Sequence, residues 1–382
     1  MTGFAAQFRL PSQALPAIRR PHRRLLLRPR RRFLLQPPRR AAVDGIVVPT
    51  VRLAHHLEQA LTLAAKLTCP VVALCSGSSK ATTVNETADR VGFDRCTPVD
   101  IEEGYGHPLL KFDTSDFKVA LPPFRNLSLK RNIGLLLAKL VGWETLLFLD
   151  DDVRGLVSNR VRTAAGQLDH VDVTAFAMTD FPDNSVVCHA YRLGRGKQDV
   201  FVSGGVCLVK VSRIETFFPA VYNEDWLFLF DALKERLVAR AGKVNQLPYD
   251  PFATPARARS EEFGDVLAEG LFALIHADRS FANADCEYWS AYLEGRKSFI
   301  ARTTSMVSSK AGHNPQAKRA LRALTAAEDY RRTILPQELA EYVTTWREDV
   351  DAWRSRLRSL PRLPSLEDAL RYLDLEPPED PR

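Results

Sequence analysis

From Gly45 onward the chain alternates short apolar runs with longer stretches in which apolar residues recur every three or four positions. "GIVVPTV" (45–51) is a β-branched run of strand length. "RLAHHLEQALTLAAKL" after it places Leu53, Leu57, Ala60, Leu61 and Ala64 on one helical stripe. "PVVALCSG" (70–77) repeats the strand signal and ends in a turn, and "SKATTVNETADRVG" is compatible with a second helix closed by Gly92. Past a Pro-rich loop around residues 121–124, "LKRNIGLLLAKLVGW" carries Ile133, Leu136, Leu137 and Leu140 on one face and leads into the strand "TLLFL" (145–149). Strands alternating with helices predict an α/β fold with a mostly parallel sheet and helices on both faces. A further strand, "VFVSGGVCLVK" (200–210), is interrupted by Gly204 and Gly205. Glycines inside a strand mark a bulge or a place where a ligand comes close to the backbone.

Beyond about residue 246 the pattern changes. "SEEFGDVLAEGLFALI", "NPQAKRALRALTAAEDYRR" and "PQELAEYVTTWREDVDAWRSRLRSL" are long, charged and amphipathic, with Pro315 and Pro336 at first-turn positions. "SLED" (365–368) has the form of a capping box before one last short helix. The organisation expected is an arm over 1–42, an α/β domain over 43–245 and a helical C-terminal extension over 246–382.

Charge refines this division. The chain carries a formal charge of +7, yet residues 1–42 hold eleven arginines and no acidic residue, so the rest is mildly acidic. Arginine runs broken by six prolines cannot build a core, which predicts a disordered arm. With only Phe4, Phe8 and Phe33 for base stacking, the arm predicts no specific nucleic-acid partner; weak peripheral contact with an anionic membrane face is its other use. Its longest apolar run, Leu25–Leu27, is too short for a secretory signal, and nowhere do about 18 uncharged apolar residues follow one another. The six cysteines are far apart without a CxxC pair, which predicts reduced thiols in a cytoplasmic protein, with any membrane association peripheral at the inner face.

Candidate chemistry centres on "TLLFLDDDVRGL" (145–156), where a buried-type strand runs into three aspartates. Three adjacent carboxylates repel one another unless a cation gathers them. Alternation along the strand end sends Asp150 and Asp152 to one side with Asp151 between them, an arrangement suited to Mn²⁺ or Mg²⁺ with a diphosphate as co-ligand. The carboxyl edge of an open α/β sheet is also where ligands bind.

With four further segments in order, this stretch resembles the GT-A nucleotide-sugar glycosyltransferases, family 2 in particular, over roughly residues 43–233. "VVPT" (47–50) resembles the opening strand whose end touches the nucleotide, "KRNIG" (130–134) the (R/K)-N-x-G helix start, and "LFLDDDV" the DXD motif. "VSGGVCLVK" resembles the acceptor-side strand and "NEDWLFLF" (223–230) the segment that holds the catalytic base.

The resemblance implies a GT-A fold and metal-dependent transfer of a sugar from a nucleoside-diphosphate sugar to an acceptor hydroxyl, with inversion; retention, which the same scaffold also supports, stays open, as does the acceptor class, whether glycan, lipid or small molecule. It implies nucleotide-sugar contacts from Pro49, Thr50, Arg52, Arg131, Asn132, Asp150, Asp151, Gly204 and Gly205. Asp152 and Asp150 would hold the metal, with His276 as a further ligand, and Asp225, or Glu224 in its place, would be the general base. Where the family commonly has acidic residues after the second strand, this chain has "CSGSSK", and the Q-x-x-R-W signature of the processive polymerases is absent.

Two other enzyme classes fit less well. A nucleotidyltransferase of related fold follows its first strand with a glycine-rich phosphate loop, and "VVPTVRLAHHLEQ" has no glycine. "LGRGKQ" (193–198) lacks the upstream glycine and the Ser/Thr after Lys197 that a Walker loop requires. A non-catalytic protein that binds nucleotide sugar or an anionic polymer is the remaining alternative.

Overall fold

The computed structural model describes residues 22–27, 39–179, 185–198, 200–310, 312 and 314–376. Among them eight strands form one sheet: β1 (Gly45–Thr50), β2 (Val71–Cys75), β3 (Cys96–Asp100), β4 (Thr145–Leu149), β5 (Val153–Arg154), β6 (Val173–Met178), β7 (Ser203–Lys210) and β8 (Val238–Gln246). Their order is β3-β2-β1-β4-β7-β6-β8-β5. The first four are parallel, as are β6 and β8, but β7 runs antiparallel to both β4 and β6, and β5 antiparallel to β8. The sheet is therefore mixed, which corrects the expectation of a mostly parallel one.

The reason lies in the connection before β7. A parallel crossover needs a helix that packs back onto the sheet. The helix here, α5 (Val186–Leu193), instead buries Val186, Val187 and Ala190 against α8 (Cys286–Ser308) and α9 (Pro315–Arg331). The chain then enters β7 from the end where β4 finishes, so Asp150 N donates to Gly205 O at 2.8 Å.

Strand alternation sorts the core into two layers. Ile46 and Val48 pack with α1 (Glu58–Leu67), α2 (Ala81–Arg90) and α4 (Ser158–Gln167). Val47 and Phe148 face the other way, onto α3 (Pro122–Val141), α6 (Glu224–Lys234) and α7 (Pro255–His276). That second layer also contains Trp346 and Trp353 of α10 (Pro336–Arg358) and Leu370 of α11 (Leu366–Tyr372), so the C-terminal helices complete the core under the sheet. Ser365 caps α11 by accepting from Asp368 N, as its sequence pattern predicts.

Two local expectations change. The prolines around residue 122 open α3, fitting its unpaired first turn, so "KRNIG" sits in mid-helix and not at a helix start. In the basic arm, residues 22–27 are packed: Leu25 and Leu26 are buried in the main core and Leu27 N donates to Val238 O at 2.8 Å. His22 adds hydrogen bonds to Glu269 and His276 on the same segment; residues 1–21 and 28–38, also assigned to the arm, lie outside the described residues. All six cysteines are free thiols, and among the described residues no helix is long and apolar enough to cross a membrane.

Candidate active site

The carboxyl ends of β1 and β4 lie side by side, and Asp151 fastens the loops that leave them. Its buried Oδ2 accepts from Thr50 Oγ1 at 2.9 Å, from Val51 N at 3.3 Å and from Arg52 N at 3.4 Å, while Oδ1 pairs with the Arg52 guanidinium. A carboxylate so enclosed is a structural clamp. Asp150 and Asp152, on either side, line a cavity of about 790 Å³. Arg52, on the lip, also donates to Asp152 at 3.0 Å.

Arg131 stands behind this edge. α3 approaches the sheet closely, since a Cβ on Gly134 would lie 2.8 Å from Val47 Cγ1. The Arg131 guanidinium is buried; its Nη2 is 3.0 Å from both oxygens of Asp150 and its Nη1 donates to Glu224. Burial alone would lower its pKa, but Asp150, Glu224 and Asp225 together raise it. Arg131, which the resemblance turns toward a diphosphate, lines the cavity and is the shared counter-ion of three carboxylates.

Glu224 and Asp225 open α6, after Asn223 in the left-handed region at φ 63°. Both are buried and both line the cavity. Burial pushes the Glu224 carboxyl up to about 8 against the pull of Arg131, and the neighbouring Asp225 charge adds to the rise. Asp225 Oδ2 accepts from Gly204 N at 2.7 Å. The glycines of β7 sit where its register with β6 shifts, Ala175 pairing with Cys207 and Phe176 with Ser203, which is the irregularity their sequence suggests. A Cβ on Gly204 would lie 2.5 Å from Asp225 Cβ, and one on Gly205 would lie 2.7 Å from Asp150 Oδ2. The close neighbours of this backbone are the protein's own carboxylates.

Two more predicted residues have structural roles. The Asn132 amide donates to Phe218 O and accepts from Phe218 N, both at 2.8 Å, and is buried away from the cavity. Pro49 is enclosed within β1. Its neighbour Thr50 serves Asp151, and the Thr50 carbonyl accepts from Lys130 Nζ at 2.7 Å. Burial pushes Lys130 down to about 8.

His276 ends α7 with Nε2 3.1 Å from His22 Nδ1. Among the described residues no group of three or more His, Cys, Asp and Glu side chains is gathered as a metal site. The set of Asp150, Asp152 and His276 is therefore not assembled, and Asp150 and Asp152 supply two carboxylates only.

The missed residues come mostly from α7, which turns Asp265 and Glu269 into the cavity. Asp265 accepts from Ser185 Oγ and from Arg296, each at 2.7 Å, and Arg296 also grips Glu262 with two hydrogen bonds. Glu261 accepts from Val186 N at 2.7 Å, and burial pushes its carboxyl up to about 7. Burial would also raise Glu269, but His22, with Arg296 and His276, more than offsets this and it lies below the usual range. The spacing of residues 261, 265 and 269 in an apolar helix was a usable signal, because acids on a buried face require partners.

No protein-family model matches the chain, and no curated protein matches it. Among solved structures, the mannosyltransferase PcManGT from Pyrobaculum calidifontis, determined with GDP-Man and Mn²⁺, is similar at 15% identity over 86% of this chain and 92% of that chain, with a TM-score of 0.41. At that score the likeness carries no argument about fold or chemistry.

Proposed function

We propose that the chain is a metal-dependent glycosyltransferase of GT-A type, moving a sugar from a nucleoside-diphosphate sugar to an acceptor hydroxyl with inversion. The observation that carries this reading is the junction at Arg131, which joins Asp150 at the strand edge to Glu224, beside Asp225, in one cavity. Asp150 and Asp152 form an all-oxygen pair that suits a hard cation arriving with a diphosphate, whose oxygens fill the remaining positions. Held there, Mn²⁺ or Mg²⁺ would neutralise charge developing on the departing nucleoside diphosphate.

The remaining roles belong to side chains. Asp225, oriented by the Gly204 N–H, takes the proton from the acceptor hydroxyl at a carboxylate oxygen. Arg131 keeps Asp150 and Glu224 in place. Arg52, 42% exposed at the lip, has room to turn toward a diphosphate.

The test is thermal denaturation with nucleoside diphosphates and nucleotide sugars, with and without Mn²⁺. A metal-dependent rise with one nucleotide family is expected. Asp152→Asn should abolish it, whereas Asp225→Asn should keep it and stop transfer. A nucleotide response indifferent to both metal and Asp152→Asn would overturn the reading.

A further inference from the structure

His22, Phe201, Trp226 and Glu269 also line the cavity, and the transfer chemistry uses none of them. The His22 ring stands edge-to-face with three aromatic rings, at centroid distances of 5.0 Å to Trp226, 5.2 Å to Phe272 and 5.8 Å to Phe201. Its Nε2 is 3.0 Å from Glu269 Oε2 and its Nδ1 3.1 Å from His276 Nε2. Aromatic walls around a carboxylate make a receptor for a cation: the ring faces attract positive charge, and a buried carboxylate requires a partner.

We infer that this box is a binding subsite for a small organic cation, filled in the resting chain by the chain's own His22. The strap that brings His22 there is lightly held. Its attachments include two buried leucines and the Leu27 N–H bond to Val238. Burying two such side chains gains less than ordering six residues loses, so the strap depends on the contacts of His22 itself, and a free cation of matching shape can compete for the box. The subsite binds an amine or imidazolium group whether or not the cavity transfers a sugar, and its test reads binding alone.

The probe is imidazole, with pyrazole as the neutral isostere, at about pH 6, where imidazole is largely protonated. In full-length His22→Ala, imidazole should raise the melting temperature saturably, by about 2 °C at a tenfold excess over its Kd, and pyrazole should not. The intact chain should give no such rise, because one occupant replaces another, and adding Glu269→Gln to His22→Ala should abolish it. The second measurement needs no variant: saturating imidazole should speed tryptic cleavage of the intact chain after Arg23 and Arg24, and pyrazole should not. A folded His22→Ala without an imidazole response, an equal response to pyrazole, or an unchanged cleavage rate would each overturn the subsite.

Discussion

Replacing Arg131 with Met tests the centre of the site without any assumption about substrate. The substitution keeps most of the aliphatic volume and removes the charge that Asp150 and Glu224 contact directly and Asp225 senses. Arg131 is 2% exposed and α3 is pressed against the sheet, so water has little room to replace the guanidinium. Removing one partner of a buried ion pair costs about 3–5 kcal/mol, since the orphaned charge stays in a poor solvent. In a chain of this size that corresponds to a fall of about 4–6 °C in melting temperature.

Guanidinium denaturation followed by tryptophan emission, with calorimetry alongside, measures the loss. Adding Asp150→Asn to Arg131→Met should recover part of it by removing one stranded carboxylate, a coupling that a double-mutant cycle resolves. An arginine kept for an external anion behaves in the opposite way, because clearing it from a binding site usually leaves stability unchanged or improved. If Arg131→Met unfolds within about 0.5 kcal/mol of the parent, the counter-ion role is wrong.

Three further substitutions probe the same cluster. Gly204→Ala should destabilise more than Gly205→Ala, since its new methyl meets Asp225 Cβ, which is fixed to the backbone, whereas Gly205→Ala meets the movable Asp150 Oδ2; about 1–3 kcal/mol is expected for the milder case, by chemical denaturation. Glu224→Gln should change the pH profile. The raised Glu224 pKa gives stability that is complete below about 4.5 and is lost as pH rises through about 8, so the variant should gain on the parent between those limits, measured as melting temperature against pH.

Much of the site was legible because strand periodicity is local. "TLLFL" predicts a strand buried on both faces, and alternation past its end sends Asp150 and Asp152 to the cavity and Asp151 elsewhere. What Asp151 does there was hidden, since its partners Thr50, Val51 and Arg52 lie about a hundred positions away. The same holds for Arg131, whose neighbours in sequence are an apolar stripe and whose carboxylates come from β4 and α6. The sheet was half visible. β8, "VARAGKVNQ", is mostly half-exposed and polar, so it lacks a clear period, and the direction of β7 depends on where α5 packs. Leu25 and Leu26 were lost among the charges around them, because a compositional average cannot see two buried side chains.

The tryptophans of α10 share one apolar layer with β4 and α6, and this bears on how the molecule comes apart. Residues from Val47 to Leu375 in that layer should melt in a single transition, with no separately folding catalytic half. A chain stopped after Gln246 would leave the underside of the sheet bare, and aggregation is its natural fate. Damage at Trp353, far along the sequence from any carboxylate of the cleft, should therefore silence the cleft as surely as damage inside it.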